Sequence, residues 1–427
     1  MLLGFLIGLI GGLAVYALTG GDPPWLIWLT TNVTGPVGSV FLRLLFMLVI
    51  PLVFSALVMG IAELGDIRQL GKMGAKMGAF TVVFTGIAVT IGLVLMNVIR
   101  PGDGLEPELA QGLIAGQGDR LGEIVSSGAG AEPGIDMFIK IVPTNVIHAA
   151  ANNDILGLMF FALFFGIGLI ITNTPGTARV LEVMQGVLDT CITLINLVIR
   201  VAPIAIACLV FNLMAVFGWD ALLRVGGFVL VTLLAMCLQF FVVYGLGLRF
   251  VARVNPWTFL KDAREALLMA FSTSSSSATL PTTLKVAEET MRLPRKISRF
   301  VLTIGATANQ HGTALFEGVT VLFLAQFFNV DLSLLDQLMI MFICILGGVG
   351  TAGVPAGSLP VIAMICIMFK IPPEGIGIIL GVDRFLDMCR TTINVGGDLV
   401  AVAVIAGTSS DDELDGDPPL AETAGVR

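Results

Sequence analysis

Nine stretches of this chain are mostly apolar over about the 20 residues that a membrane-crossing helix needs. Six run with little interruption, near 2–19, 38–63, 78–99, 155–173, 181–216 and 225–250. Three more, at 300–328, 334–370 and 374–407, are broken by polar and glycine-rich insertions. Such a chain cannot cover itself with solvating groups. Of its 427 residues 56% are hydrophobic and 13% charged, about half the roughly 25% charged share of a soluble domain. An ordinary soluble enzyme, a nucleic-acid binder and a disordered chain are therefore excluded. Membrane helices tolerate 50 glycines and 19 prolines, because small residues let backbones pack and prolines break helices at working sites. The six cysteines all lie inside apolar runs and read as buried small hydrophobes, not as a disulfide framework or a metal site. No basic residue precedes Arg43, so the first run lacks the start of a cleaved signal peptide and reads as a retained span.

The formal charge of −8 says little, because the charges sit in patches. Nine of the 23 Lys and Arg residues fall between Arg249 and Arg299, which places that stretch in the cytoplasm. The linker with Arg68, Lys72 and Lys76 goes with it. The 101–134 loop carries six acids against Arg120 alone and belongs outside. Alternate threading puts the N-terminus inside. The acidic end after Ala406, with Ser409-Ser410-Asp411-Asp412-Glu413, reads as a disordered cytoplasmic tail. The expected location is a plasma membrane of the bacterial inner-membrane type, with many spans and both termini cytoplasmic.

Four segments break the apolar pattern. Ser272-Thr-Ser-Ser-Ser-Ser277 places six hydroxyls in a row. It reads either as a serine-rich linker or as a re-entrant tip, since irregular backbone at membrane depth must line a cavity or be buried in protein. Asn309-Gln310-His311-Gly312-Thr313 interrupts an apolar helix. An unwound turn there frees carbonyls that suit a hard cation. Gly347 to Pro360 holds five glycines and two prolines, too many for a regular helix, and reads as a tight hairpin dipping into the bilayer. It loosely echoes the serine segment, as paired interruptions do around a transporter's substrate site. In 383–398, Asp383, Asp387, Arg390, Thr391, Asn394 and Asp398 fall mostly on one helical stripe. Each mid-membrane charge costs about 2.5–3.5 kcal/mol on insertion scales, so the stripe must face an aqueous or protein-lined path. A purely structural ladder, Asp387 with Arg390 or Asp383 with Arg384, leaves Asn394 and Asp398 unexplained.

With these four motifs in this order, and with Arg43-Leu-Leu-Phe-Met-Leu-Val-Ile-Pro51 looking like a second span, the chain resembles the dicarboxylate/amino acid:cation symporter family. The match covers all but the acidic tail. The resemblance implies an all-α integral membrane protein of eight spans and two re-entrant hairpins, forming a homotrimer in lipid. It implies a symporter domain over 1–407, with a scaffold from about 1–75 and 135–222, an elevator-like transport core from about 76–100 and 223–407, and the tail over 408–427. It implies no enzyme activity, no cofactor and no nucleic-acid partner. The substrate would be an acidic amino acid, aspartate or glutamate, driven by sodium.

Residue by residue, Arg390 matches the arginine that pairs with the substrate's side-chain carboxylate, and a buried guanidinium suits bidentate binding. Asp387 matches the carboxylate for the substrate ammonium. Ser275, Ser276, Ser277, Thr313, Thr391 and Asn394 match further polar contacts, and Val354, Pro355 and Gly357 of the second hairpin, the outer gate, complete the substrate-binding set. Arg384 would supply a charge that other members carry in the serine string. For sodium, Gly305, Asn309, Asn394 and Asp398 match one site, and Thr307, Gln310, Val349 and Thr351 a second. The family pattern Asn-Met-Asp-Gly-Thr is altered here, with His311 in place of the aspartate that serves a third sodium site. Phe84 stands where that site expects a threonine, while Thr85 keeps the next hydroxyl. The alteration implies fewer sodium ions, a proton on His311, or a packing role for that ring.

Within the class, the rivals are a C4-dicarboxylate carrier and a proton-coupled glutamate symporter. A dicarboxylate has no ammonium for Asp387, which favours an amino acid. A neutral amino acid would leave Arg390 buried without its partner. From another class comes an intramembrane serine protease using the 272–277 hydroxyls with His311, but the chain lacks a Gly-x-Ser-x-Gly signature. A ligand-gated anion conductance would be a side activity.

Overall fold

The computed structural model describes residues 2–21, 23–65, 72–103, 142–151, 155–350 and 358–409. All regular structure among them is helical. Helix α1 (Leu2–Thr19) leads to α2 (Pro24–Leu29), a π-helical turn (Thr30–Thr34), α3 (Gly35–Phe46) and α4 (Val49–Gly65). Next come α5 (Lys72–Ile99), α6 (Val146–Ala151) and α7 (Ile155–Thr172). The long α8 (Pro175–Cys237) continues through π-helical turns around α9 (Tyr244–Leu246) to Ala252. Helices α10 (Pro256–Thr273) and α11 (Ser276–Lys285) are followed by α12 (Arg295–Ala308), α13 (His311–Phe327), α14 (Leu334–Gly350), α15 (Ser358–Met368) and α16 (Ile376–Gly407).

Local chemistry sets the boundaries. The Thr174 hydroxyl accepts from Thr177 N while Thr177 Oγ1 accepts from Thr174 N, a capping box reinforced by Pro175 at the first helical position. Asn255 caps α10 by accepting from Trp257 N, with Pro256 next. Inside α8, Gly218 has φ 58° and ψ −131°. A Cβ there would stand 2.3 Å from the Tyr16 ring, so both backbone and packing require glycine. The two apolar runs separated in the sequence at 217–224 are thus joined across one sharp kink. Other runs divide: Met47 and Leu48 separate α3 from α4, and Asn309-Gln310 separates α12 from α13. Among the described residues Met73–Ile99, Leu222–Ala252 and Ile376–Gly407 are each long and apolar enough to cross a membrane, and five shorter apolar helices accompany them.

Burial runs opposite to hydropathy in part of the molecule. Every residue of α13 except Gln326 is buried, and α16 buries its charged stripe. Helix α13 packs between α5 and α16, and α12 lies on α16. Around this core, α1 packs on α8 and α7 on α4, exposing Ile7, Ile10, Phe164 and Ile171 on their outer faces.

Two expectations change. Cys191, Cys344 and Cys366 are buried and all six cysteines are free, but Cys237 is exposed. An apolar run in this fold has a lipid-facing side, so a cysteine within it need not be inside. The glycine-rich 347–360 segment is also less irregular than its composition suggests. Gly347 to Gly350 continue α14, and Ser358 to Pro360 open α15. The intervening 351–357, with Thr351, Val354, Pro355 and Gly357, lie outside the described residues, as do most of the 101–134 loop and the tail from 410.

Candidate functional site

The break between α12 and α13 is made by two non-glycine residues, Asn309 (φ −116°, ψ 62°) and Gln310 (φ −99°, ψ 59°). Their side chains compensate for the lost helical geometry. Asn309 accepts from Thr81 Oγ1 at 2.9 Å and donates to Asp398 Oδ1 at 2.8 Å. Gly305 lies directly under that carboxylate; a Cβ there would come within 2.5 Å of Asp398 Oδ1. Gln310 donates to Ala306 O at 3.0 Å. Asn394 accepts from Gly312 N at 2.7 Å and donates to Thr313 Oγ1 at 3.0 Å and to Gln310 Oε1 at 2.5 Å. Gly312 makes this approach possible, since a Cβ would sit 2.5 Å from the Arg390 carbonyl.

The residues expected at the first sodium site, Gly305, Asn309, Asn394 and Asp398, are therefore in one buried cluster that ties the helix break to α16. For the second set, the Thr307 hydroxyl bonds to Ile304 O at 3.0 Å within its own helix. Gly348, beside Val349, faces the helix break: a Cβ there would stand 3.4 Å from the Gln310 carbonyl oxygen. The donors are amides, hydroxyls, carbonyls and one carboxylate, the oxygen-rich set that suits a hard cation. Among the described residues no group of three or more His, Cys, Asp or Glu could hold a metal ion, so a soft-metal centre does not fit there.

The stripe on α16 carries the charge. Arg390 is 2% exposed. It donates from Nε to Asp387 Oδ1 at 2.8 Å and from Nη1 to Asp383 Oδ1 at 3.1 Å, and its guanidinium carbon lies 4.6 Å from the centre of the Phe316 ring. Its Nη2 is buried with no hydrogen-bond partner among the described residues. Arg384, half exposed, stands 3.6 Å from Asp387 Oδ2. Asp383 therefore pairs with Arg390, not with Arg384; both side chains are buried on the inward stripe. The Thr391 hydroxyl folds back to Asp387 O at 2.8 Å.

The hydroxyl string is a turn between α10 and α11, both of which pack on α16. Ser272 and Thr273 end α10, Ser274 adopts left-handed backbone (φ 52°), and Ser275 caps α11 by accepting from Ala278 N at 3.2 Å. The Ser276 hydroxyl is buried without a hydrogen-bond partner among the described residues, whereas Ser277 is exposed. The linker reading of this string is thus replaced by a tight two-residue turn.

His311 is fully buried, its ring centre 5.6 Å from that of Phe80, 6.1 Å from that of Phe84 and 5.8 Å from that of Tyr244. The Tyr244 hydroxyl donates to Ile393 O at 3.1 Å and lies 2.8 Å from His311 Nδ1. The phenol has a single hydrogen, so the tautomer of His311 sets which of these two contacts it donates to. Among the described residues, His311 Nε2 and the Thr85 hydroxyl are buried without hydrogen-bond partners.

One residue escaped the sequence reading. Glu317 on α13 is fully buried, and among the described residues neither carboxyl oxygen has a hydrogen-bond partner. It faces α14, where a Cβ on Gly347 would stand 3.0 Å from Glu317 Oε2. The signal was available: a lone acid in Ala314-Leu-Phe-Glu-Gly-Val-Thr-Val-Leu322 is costly at membrane depth and marks a functional position.

Residues 1–408 match the profile of the sodium:dicarboxylate symporter family. The chain is 33% identical over 382 residues to the proton/glutamate-aspartate symporter of Escherichia coli (strain K12), covering 89% of this chain and 86% of that one. It is 31% identical over 401 residues to the proton/sodium-glutamate symport protein of Geobacillus stearothermophilus, covering 94% and 92%. It is 30% identical over 381 residues to the C4-dicarboxylate transport protein of Bacillus subtilis (strain 168), covering 89% and 88%. A helical chain with membrane-length apolar helices, a broken helix laced to a buried charged stripe and this whole-length similarity is a membrane transporter, not an enzyme: it belongs to the sodium:dicarboxylate symporter family.

Proposed function

We propose that this chain is a secondary active symporter for an acidic amino acid, aspartate or glutamate, working by elevator-type alternating access. The observation that carries the substrate reading is the Arg390–Asp387 pair. A buried guanidinium with one unbonded nitrogen can take one end of a carboxylate. The acid beside it can take an ammonium, which a C4-dicarboxylate lacks. Substrate entry would loosen the Nε bond to Asp387 and exchange one carboxylate partner for another, so the guanidinium is never left unpaired. The relatives named for glutamate and aspartate support this reading; the relative named for C4-dicarboxylates is the alternative.

Sodium is the proposed cargo ion, held by Gly305, Asn309, Asn394 and Asp398, with a second ion at Thr307, Gln310, Val349 and Thr351. The aromatic cage around His311 supports a packing role for that ring in place of a third sodium. A second reading, proton coupling, is favoured by Glu317: a buried carboxyl with no donor and no cation bonded to it is a place to carry a proton. In this proposal the protein is a homotrimer of eight spans and two hairpins, α10–α11 and α14–α15. The scaffold comes from about 1–75 and 135–222, the moving core from about 76–100 and 223–407, and both termini are cytoplasmic.

Purified protein in liposomes tests this directly. Sodium and proton gradients are imposed separately, and labelled aspartate, glutamate and succinate are offered. Concentrative uptake of an amino acid under a sodium gradient is the expected result. Uptake under a proton gradient alone, lost in Glu317→Gln, moves the coupling to the second reading. Preference for succinate overturns the substrate assignment.

A further inference from the structure

All nine basic side chains between Arg249 and Arg299 are exposed. They surround the open end of the α10–α11 hairpin, whose two arms are joined there by Lys285 and Glu265 at 3.6 Å. Local acids occupy part of this set. Arg299 donates twice to Glu288, at 2.8 and 3.3 Å, and Arg295 lies 3.7 Å from the same carboxylate. Arg249, Arg253, Lys261, Arg264 and Arg292 have no ion pair among the described residues. Five exposed cations along 249–292 therefore lack an ion pair among the described residues.

The sequence beyond Ser409 is of the opposite charge. Lys76 Nζ donates to Thr408 O at 2.9 Å and to Ser409 Oγ at 3.2 Å, which fixes the end of α16. Gly407 lies against Ala252, where a Cβ would meet Ala252 Cα at 3.0 Å, so the exit point adjoins Arg253. Residues 410–427 hold six acids and one arginine. Eighteen residues can extend up to about 60 Å, ample to cross the hairpin base. A tethered segment also acts at a high effective concentration.

We propose that the acidic segment 410–427 docks on this basic face, its carboxylates pairing with the exposed cations at the base of the α10–α11 hairpin. The contact is electrostatic and screened by salt. Anionic lipid headgroups are the competing occupants of the same cations.

The test is carbodiimide coupling on the full chain in nanodiscs of neutral or anionic lipid, followed by peptide mass spectrometry. The reagent joins carboxylates directly to lysines. The expected product links an acid of 411–417 to Lys261 in both lipids at 50 mM salt. It falls at least five-fold at 500 mM salt, and at least three-fold in the Arg253→Gln/Arg264→Gln double variant. No such link in either lipid overturns the proposal. So does a link insensitive to salt or to the double variant. A link present only in neutral lipid assigns the face to anionic headgroups and overturns it as well.

Discussion

Helices α7 and α16 are both membrane-compatible, and they invert each other. Helix α7 is almost wholly apolar and exposes Phe164 and Ile171 at 67% and 62%. Helix α16 carries Asp383, Asp387, Arg390 and Asp398, and all four are buried. The most apolar window of α16 is 78% buried, against 33% for the corresponding windows in Met73–Ile99 and Leu222–Ala252. In water the apolar helix would be the core. In lipid, apolar surface costs nothing to expose, and polar groups must find protein partners. Polarity, not hydropathy, therefore marks the inside of this molecule, and the inside is the candidate site.

That contrast can be broken from either side. Outside the Arg390–Asp387 pair, the largest effect is expected at the cluster around Asp398. Asp398→Asn removes the one formal charge among Gly305, Asn309 and Asn394, and should weaken sodium-dependent aspartate binding by about 100-fold, about the worth of a buried charged hydrogen bond. Calorimetry across a sodium series measures it; an unchanged series removes Asp398 from the site. Gly312→Ala forces a methyl to within 2.5 Å of the Arg390 carbonyl, and should cost about 1–3 kcal/mol by overpacking, read as lowered thermal stability. Wild-type stability there would mean the α13–α16 contact is loose. Tyr244→Phe deletes the hydroxyl joining His311 to Ile393 O, a loss of about 1–3 kcal/mol if the partners stay dry, again by thermal unfolding. Ile171→Ala on the outward face of α7 should lie within about 0.5 kcal/mol of wild type. A large loss there would show that α7 packs against a neighbouring copy.

A separate check concerns pH at the hairpin base. The hydrogen bond from Arg299, aided by the Arg299 and Arg295 charges, holds the Glu288 carboxyl below the usual carboxylate range. The folded state thus favours its ionised form, so the contribution is present at neutral pH and is lost as pH falls through the lowered value. Faster hydrogen exchange over 286–299 in acid, absent in Glu288→Gln, is the expected result.

Much of this interior was legible because it violates the surrounding pattern. Asp387, Arg390, Asn394 and Asp398 recur at helical spacing in an apolar run, and Asn309-Gln310 breaks another. Their roles came from the family resemblance. Glu317 carries one signal, the cost of a lone acid in an apolar run, and no spacing to add to it. Asp383 was read as part of the stripe, but its bond to Arg390 depends on rotamers that spacing does not fix. Thr81, which anchors Asn309 from a helix 228 residues away in sequence, has no local signal at all. The kink at Gly218 was hidden because a glycine in an apolar stretch looks like any other until Tyr16 packs against it.

The central claim is that Arg390 receives the substrate carboxylate and Asp387 its ammonium. Calorimetric titration of aspartate and succinate into wild type, Arg390→Ala and Asp387→Asn, each shown by size exclusion to keep its assembly, tests it most directly. The account predicts aspartate binding in wild type, a loss of roughly 2–5 kcal/mol in Arg390→Ala, and a larger loss for aspartate than for succinate in Asp387→Asn. Unchanged aspartate affinity in Arg390→Ala, or equal losses for both ligands in Asp387→Asn, would contradict it.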